Sequence, residues 1–473
     1  MTILDGTALS IDEVLRLGAQ ARPQLELADE ARRRVADSWM LATELAGSRP
    51  VYGRTTGVGA NRDTTVAQDV SSDLRLLRSH ATGSGDPLPR VTVRMALLIR
   101  LNQLLRGGSG IHPDALDALL AALAGDRMPT VHAAGAIGTG DLSALGEIAL
   151  ALLGDGTAQD RDPLWRLHAG DALPFLSSNA VTIATACAEI ARLRRWQEQH
   201  ASVAALSFLA VRASRESLQP AVQAARPQHG QAQAASAVRA LLADCDAPSR
   251  RVQDSYGFRA YPQVTGALLD AAAALEHVVG TDIVSASENP LIDLESRDAF
   301  HNGNFHGIPL ALAADRVKLA LTSVGQLSVA RLTDISDPDM TGLTSFLADT
   351  PGASGVMLLE YNQAAAQADL RQNAQPATLG AVVISRGVEN HSSFSTQAVS
   401  QLRRCLDAAF DVLACELVAA VRALELHGDR VAGPLAAFVE RLAPLIGHDP
   451  ADRPLTADLA AARSFLESDP TLP

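Results

Sequence analysis

The chain has 473 residues, of which 47% are hydrophobic and only 4% aromatic, so its apolar content is mainly Ala, Leu and Val. This composition favours close-packed helices over a sheet core. The formal charge is −13, from 40 Lys and Arg against 53 Asp and Glu. No dense basic stripe is present that could neutralise successive phosphates, which argues against a nucleic-acid partner.

The N-terminus has neither the basic start nor the apolar core of a signal peptide, and the apolar runs are broken before about 20 residues. We therefore expect a cytoplasmic protein without a membrane segment. The four cysteines have no metal-binding or redox spacing, so we expect buried thiols. They are Cys187, Cys245, Cys405 and Cys415.

The first part of the chain alternates helical patterns with one glycine-rich loop. Apolar spacing predicts helices over 9–20, with Ser10 and Asp12 as caps, and over 27–46, where Leu25 and Leu27 are counted with the apolar face. The segment from Tyr52 to Gly59 has no such periodicity, and loops commonly carry catalytic groups.

Three more helices are expected before the centre of the chain. They cover 67–78, 90–106 and 113–124, the second opened by Pro89, and His80 is expected just past the end of the first.

A second glycine-rich loop, Gly135 to Asp141, runs into an apolar-periodic helix. Glycine at 135, 138 and 140 allows a tight backbone path, and Asp141 occupies the expected N-cap position. Taken alone, such a loop is a tight turn more often than a binding site, although helix N-termini also bind anions.

The second part of the chain is dominated by long helical patterns. A polar stretch, 154–163, is followed by the segment 171–188, which carries Asn179 among small residues. Helical stretches follow at 192–213, 230–244, 262–286, 307–333, 355–373 and 395–427. Long helices with short links predict an all-α, elongated bundle. We expect an N-terminal region, 1–190, and a long-helix region, 191–473, in one integrated unit, with a frayed tail from 467 to 473.

Some of these residues have chemistry suited to catalysis. Tyrosinate is a strong base if cations or helix N-termini lower the pKa of the phenol from about 10. Arg259 follows Tyr256 by three positions, which puts both on one helical face, and a guanidinium can bind a carboxylate through two hydrogen bonds. Read alone, however, Tyr52 is a packing residue and Arg259 a surface ion-pair partner.

The order of the motifs resembles the aromatic amino acid ammonia-lyase and aminomutase family, and within it histidine ammonia-lyase most closely. The resemblance extends from about residue 10 to about residue 400. The motifs are Tyr52-Gly53, Thr56-Gly57-Val58-Gly59, Ser79-His80-Ala81, the 135–145 loop, Val252-Gln253-Asp254-Ser255-Tyr256 with Arg259 and Pro262-Gln263, Asn289-Pro290-Leu291 and Gly303-Asn304-Phe305-His306.

The chain departs from this family at its signature. In the family an Ala-Ser-Gly tripeptide cyclises and dehydrates into a methylidene-imidazolone, the electrophile on which the chemistry depends. The corresponding segment here is Gly138-Thr139-Gly140-Asp141, one residue short and without serine. The only Ala-Ser-Gly, at 353–355, matches an ordinary helix entry and not the signature loop.

The resemblance implies roles for individual residues. It implies that Tyr52 is the base, that Arg259 binds the substrate carboxylate, and that Tyr256 and Asn179 hydrogen-bond the electrophile and the amino group. It also implies that His80 and Glu389 line the side-chain pocket, that Phe305 packs near the electrophile and that Gln263 contacts substrate. An acidic residue at the position of Glu389 goes with histidine as substrate in the family.

Three functions are compatible with this pattern. The first is an ammonia-lyase-like enzyme on a histidine-like or other aromatic amino acid, with no electrophile or with a methyl-bearing one formed from Gly138, Thr139 and Gly140. The second is another elimination, addition or cyclisation of a carboxylate substrate, and the third is a non-catalytic ligand-binding relative. We expect a homotetramer with shared active sites, as the resemblance implies, and neither a metal nor an external cofactor.

Overall fold

The computed structural model describes residues 1–155, 162–429 and 431–468. The predicted polar stretch 154–163 and the predicted tail 467–473 lie partly outside these residues. The all-α prediction is confirmed, since helices dominate the chain and the strands are only three or four residues long.

The helices of the described residues include both short turns and helices of about 30 residues. They are α1 (Ile11–Ala19), α2 (Asp29–Ser48), α3 (Val70–His80), α4 (Arg90–Leu104), α5 (Asp114–Ala124), α6 (Leu142–Leu152), α7 (Ala172–Leu176), α8 (Ala180–Ala210), α9 (Pro220–Ala225), α10 (His229–Leu241), α11 (Tyr256–Arg259), α12 (Tyr261–Ile283), α13 (Ile308–Ser336), α14 (Pro338–Thr341), α15 (Met357–Asn373), α16 (Ser395–His427), α17 (Pro434–Leu442) and α18 (Thr456–Glu467).

In the part of the chain that the structure describes, the strands form three two-stranded pairs. β1 (Thr2–Leu4) pairs in parallel with β2 (Leu25–Leu27), while β3 (Ser84–Pro87) with β4 (His132–Ala134) and β5 (Leu291–Asp293) with β6 (Asp298–Phe300) are antiparallel. The assignment of Leu25 and Leu27 to a helical face was therefore wrong. Their backbone groups bond to the N-terminal strand, a long-range pairing that local periodicity does not encode.

Two other local predictions change in the structure. Ser10 caps α1 in a capping box with Glu13, whereas Asp12 lies inside the first turn. His80 is the last residue of α3 rather than a loop residue beyond it. All four cysteines are buried thiols, as predicted.

The chain divides into two compact units. The first comprises Met1–Glu189, Glu276–Ala314 and Pro376–Val399, and the second comprises Ile190–Leu275, Asp315–Gln375 and Ser400–Pro473. The division at about residue 190 stays a prediction. One helical stretch of the described residues, Ala172–Ala210, has the length and composition to span a membrane, but 89% of its most apolar window is buried within the protein.

The core of the first unit is built on α4, in which every residue from Thr92 to Leu104 is buried. Arg100 lies within it, and its guanidinium donates to Glu288 (Nη1 to Oε1, 2.8 Å) and to the carbonyl of Phe175 (3.2 Å). Because both charges are removed from water, each needs the other to remain ionised at low cost. The pair fixes the segment that leads into Asn289.

The second unit has its own buried ion pair, between Arg331 of α13 and Glu416 of α16. Two hydrogen bonds join them, of 2.5 Å and 2.9 Å, and both side chains are fully buried. The same guanidinium donates to the carbonyl of Gly257 at 3.2 Å. The buried pair therefore holds α11, which carries Tyr256 and Arg259.

Candidate active site

The first unit contains a cavity of about 760 Å³ that brings five of the predicted site residues together. They come from five separate segments of the chain, and they are Tyr52, His80, Thr139, Phe305 and Glu389. Leucine and valine side chains share the lining with these polar groups, as in a small-molecule site.

Tyr52 lies on a tight loop whose backbone shape depends on glycine. Gly53 has a φ of +70°, and a Cβ there would come within 2.0 Å of the Leu173 side chain. The phenolic oxygen of Tyr52 accepts a hydrogen bond from the backbone N–H of Gly59 at 2.7 Å, and the backbone N–H of Tyr52 donates to Nε2 of His301 at 3.2 Å. The hydroxyl is thus fixed at the cavity wall.

The pKa of Tyr52 is raised above its ordinary value, chiefly because burial disfavours the phenolate. The Gly59 hydrogen bond opposes this shift, Glu389 adds to it through charge repulsion, and Arg62 opposes it through attraction. Without substrate, the phenol is therefore held in its protonated form at neutral pH.

His80 and Glu389 contribute contrasting polar groups to the same cavity. Nδ1 of His80 lies 2.9 Å from the carbonyl oxygen of Leu76, which can only accept, so the neutral ring carries its proton on Nδ1 and leaves Nε2 as an acceptor. The Glu389 carboxylate lies near Gly59, the residue whose backbone N–H donates to Tyr52. Its Oε1 is 3.6 Å from the position that a Cβ on Gly59 would take.

The glycine-rich loop is held by hydrogen bonds along its backbone. The carbonyl of Gly138 accepts from Oγ of Ser393 at 2.7 Å and from the N–H of Gly307 at 2.9 Å. The carbonyl of Ile137 accepts from the N–H of Phe394 at 2.8 Å. The loop is thus fixed by two segments that are distant in sequence.

Asp141 occupies the N-cap position of α6, as predicted, but its side chain makes no cap hydrogen bond. Its carboxylate accepts instead from the backbone N–H and the hydroxyl of Thr182, both at 2.7 Å. Burial raises the pKa of Asp141 to about 6. Asp141 therefore joins the loop to the start of α8.

Both ends of the Asn179 side-chain amide form hydrogen bonds with backbone groups. Its Oδ1 accepts from the N–H of Gly140 at 3.1 Å, and its Nδ2 donates to the carbonyl of Phe305 at 2.6 Å. It is buried and does not line the cavity. In the isolated chain Asn179 positions the walls on which Thr139 and Phe305 lie.

The three predicted residues of the second unit, Tyr256, Arg259 and Gln263, are not among the residues that line the cavity. Tyr256 is 67% exposed, and the Arg259 guanidinium carbon lies 4.2 Å from the centroid of its ring. This stacking fixes the guanidinium on the side of α11 that Tyr256 shares.

Sequence reasoning missed several lining residues. His301 and Asn289 stand within or beside motifs already identified, while Ser385, Arg62 and Asp63 had no local signal. Oγ of Ser385 accepts from the N–H of Ala60 at 2.9 Å, which joins the Tyr52 loop to the Glu389 segment. Only a fold that brings these loops together makes such residues recognisable.

The loop leaves no room for a side chain at position 138. A Cβ on Gly138 would lie 2.0 Å from Ser393 Oγ and 2.6 Å from the backbone nitrogen of Ser395, at a φ of +84° that disfavours L side chains. An alanine at this position would therefore force its neighbours to shift and would strain the backbone.

Sequence comparison finds relatives along almost the whole chain. The profile of the aromatic amino acid lyases matches residues 9–443. The histidine ammonia-lyase of Stigmatella aurantiaca is 32% identical over 98% of this chain and 96% of that protein. That of Caldanaerobacter subterraneus is 30% identical over 90% and 88%.

Solved structures with the same fold include enzymes that are named for different substrates. An ergothioneine-degrading enzyme, ergothionase, from Treponema denticola, in complex with desmethyl-ergothioneine sulfonic acid, superposes with a TM-score of 0.93 at 25% identity, over 98% of each chain. A histidine ammonia-lyase from Trypanosoma cruzi superposes with a TM-score of 0.86 at 25% identity, over 98% of this chain and 93% of that one.

Three glycine-to-alanine substitutions test the crowding at Gly138. We expect Gly138→Ala to lower the free energy of unfolding by about 2–5 kcal/mol, from backbone strain and overpacking. Gly140→Ala shares the positive φ, at +101°, but its Cβ would be 3.5 Å from the nearest atom. This variant should lower the free energy of unfolding only through backbone strain, by about 1–3 kcal/mol.

Gly280→Ala is the matched control, because a Cβ there meets nothing within 4 Å and the residue lies inside α12. It should be neutral or slightly stabilising. Urea unfolding of the three variants gives the comparison. If Gly138→Ala were as stable as Gly140→Ala, a Cβ at position 138 would not be overpacked against its neighbours.

Proposed function

Because the chain belongs to the aromatic amino acid lyase family, a family of carbon–nitrogen lyases, we propose that it eliminates an amine from a histidine-like substrate without the methylidene-imidazolone. The observation that carries the proposal is the packing at Gly138, which leaves no room for the Cβ of an alanine at the start of an Ala-Ser-Gly tripeptide. The base, Tyr52, and the acidic pocket residue, Glu389, are kept in one cavity.

The lost electrophile restricts the amine that can leave. A quaternary amine has no lone pair with which to attack an electrophile, and it departs as a neutral tertiary amine once the carbon–nitrogen bond breaks. We therefore favour a histidine-derived betaine with a quaternary α-ammonium group. The fold shared with an enzyme that degrades ergothioneine, itself a trimethylated histidine derivative, supports this choice.

The elimination is balanced without another reactant. The Tyr52 phenolate takes the β-proton, the electrons of that carbon–hydrogen bond form the carbon–carbon double bond, and the nitrogen leaves with the bonding pair. The products are an imidazole-bearing acrylate, a tertiary amine and the neutral phenol. Aromatic faces of Tyr52 and Phe305 suit a quaternary cation, and the Glu389 carboxylate suits an imidazole.

A ring formed from Gly138, Thr139 and Gly140 is the alternative. The two hydrogen bonds to the Gly138 carbonyl favour it, because they would polarise the carbon that the Gly140 nitrogen must attack. The hydrogen bond from that nitrogen to Asn179 opposes it. A purely ligand-binding role would not need Tyr52 and its backbone partner.

The substrate proposal is tested by amine release from matched substrates. We expect α-N,N,N-trimethylhistidine, or its 2-thio derivative, to yield trimethylamine and an ultraviolet-absorbing acrylate, and histidine to yield no ammonia. Tyr52→Phe keeps the ring but should reduce the rate about 10²–10⁴-fold. Release of ammonia from histidine at a comparable rate would contradict the proposal. If no substrate released an amine, ligand binding would be the remaining function.

The pH dependence tests Tyr52 as the base. Because its pKa is raised and the base must be ionised, kcat/KM should rise with pH up to an apparent pKa above about 10. Glu389→Gln removes a repulsive charge and should move this limb to lower pH. Arg62→Gln removes an attractive charge and should move it to higher pH.

A quaternary substrate suits this measurement, because its ammonium group does not titrate. Glu26→Gln, at an exposed strand position, is the control for a general change of charge and should leave the limb in place. Shifts of the two variants in the same direction would show that the limb does not report Tyr52.

We also propose that the carboxylate clamp, Arg259 with Tyr256, reaches the cavity of another copy in a homo-oligomer. The exposure of Tyr256 supports this arrangement. Tyr52→Phe and Arg259→Met should each be inactive alone, but their co-expression should restore activity, because mixed assemblies contain sites with both native residues. Inactive mixed assemblies would contradict a shared site.

A further inference from the structure

A second polar cluster lies in the first unit, apart from the residues that line the cavity. It consists of His112, Asp114 and His168, each of which offers a ligand atom within 4.8 Å of the other two. Among the described residues this is the one group of three or more histidine, cysteine or carboxylate side chains so arranged.

The three side chains are in direct contact. Nε2 of His168 lies 2.7 Å from Oδ2 of Asp114, and Nδ1 of His112 lies 3.3 Å from Oδ1 of the same carboxylate. The two imidazole rings stack with centroids 3.6 Å apart and planes 21° apart. Asp114 is the first residue of α5, so its position is fixed by the helix.

One buried carboxylate binds the backbone N–H groups of both histidines. Asp171, which is fully buried, accepts from the backbone N–H of His112 at 2.9 Å and from that of His168 at 3.0 Å. The edge of Trp39 packs against the His112 ring, with centroids 4.7 Å apart. These contacts fix the backbone of both histidines before any ion binds. Because the lone pairs of an imidazole lie in its ring plane, the stacked rings must turn before both nitrogens face one ion.

We propose that His112, Asp114 and His168 form a binding site for a divalent transition-metal ion, with Zn²⁺ as the best fit. Two imidazole nitrogens and one carboxylate oxygen are a ligand set that zinc accepts, with water completing the tetrahedron. The three side chains are 21%, 39% and 23% exposed, which gives an ion and its water access from solvent.

The alternative is a hydrogen-bonded cluster that needs no metal. In such a cluster Nδ1 of His112 accepts a hydrogen bond from the backbone N–H of Asp114 at 3.2 Å, so this nitrogen carries no proton, and an ion at Nδ1 would displace that bond. The neutral ring is the form that binds metal. An ion would replace the proton between His168 and Asp114, so that the start of α5 and the His168 segment are joined by coordination bonds.

The test is zinc binding to the intact, chelator-stripped protein. Equilibrium dialysis with ZnCl₂ followed by elemental analysis should give one equivalent per chain, and zinc should raise Tm. His168→Gln should weaken binding by at least about 10–100-fold, the usual effect of changing even an outer-shell partner. Asp114→Asn, which keeps the size of the side chain, should weaken it as well.

His448→Gln is the matched control, because His448 also pairs with a carboxylate, Glu425 at 2.6 Å, but belongs to no such cluster. Its zinc stoichiometry should equal that of the wild type. If the wild-type protein bound no zinc, or if His168→Gln and Asp114→Asn bound it as tightly, the proposal would be overturned. Zinc binding by the wild-type protein tests the proposal even if a variant fails to fold.

Discussion

The structure of the active-site region depends on how the backbone is fixed at Gly138. Its carbonyl receives two hydrogen bonds, from Gly307 and Ser393, in a place where no side chain fits. Each buried hydrogen bond adds only about 0.5–1.5 kcal/mol, but an unsatisfied buried carbonyl would cost about 1–3 kcal/mol. The loop, the segment after Phe305 and the start of α16 are therefore fixed together, and Thr139 and Phe305 reach the cavity from fixed positions.

The same constraint accounts for the proposed change of chemistry. An Ala-Ser-Gly tripeptide that began at position 138 would need space for a Cβ where this chain has a serine hydroxyl and a backbone nitrogen. On the proposed function, the chain keeps Tyr52 as its base but has no electrophile with which to activate an ordinary amine. A substrate whose nitrogen is already quaternary needs no such activation, so the remaining side chains suffice for elimination.

The helices, the family and five lining residues could be predicted from the sequence, because helical periodicity is local and the motifs are contiguous. The β2 strand at Leu25–Leu27 and the bond from Asp141 to Thr182 could not, since each depends on a partner distant in the chain. The His112 cluster had no sequence signal for the same reason. Two of its ligands are adjacent to a proline, and the third is more than fifty residues away.

The most direct test of the central claim is the mass of the purified, intact protein, with peptide mapping over residues 128–161. Formation of a methylidene-imidazolone-type ring removes two waters, about 36 Da, from the loop. We predict an unmodified mass in protein that releases a tertiary amine from its substrate. A loss of about 36 Da mapped to Gly138, Thr139 and Gly140 in the active protein would contradict it.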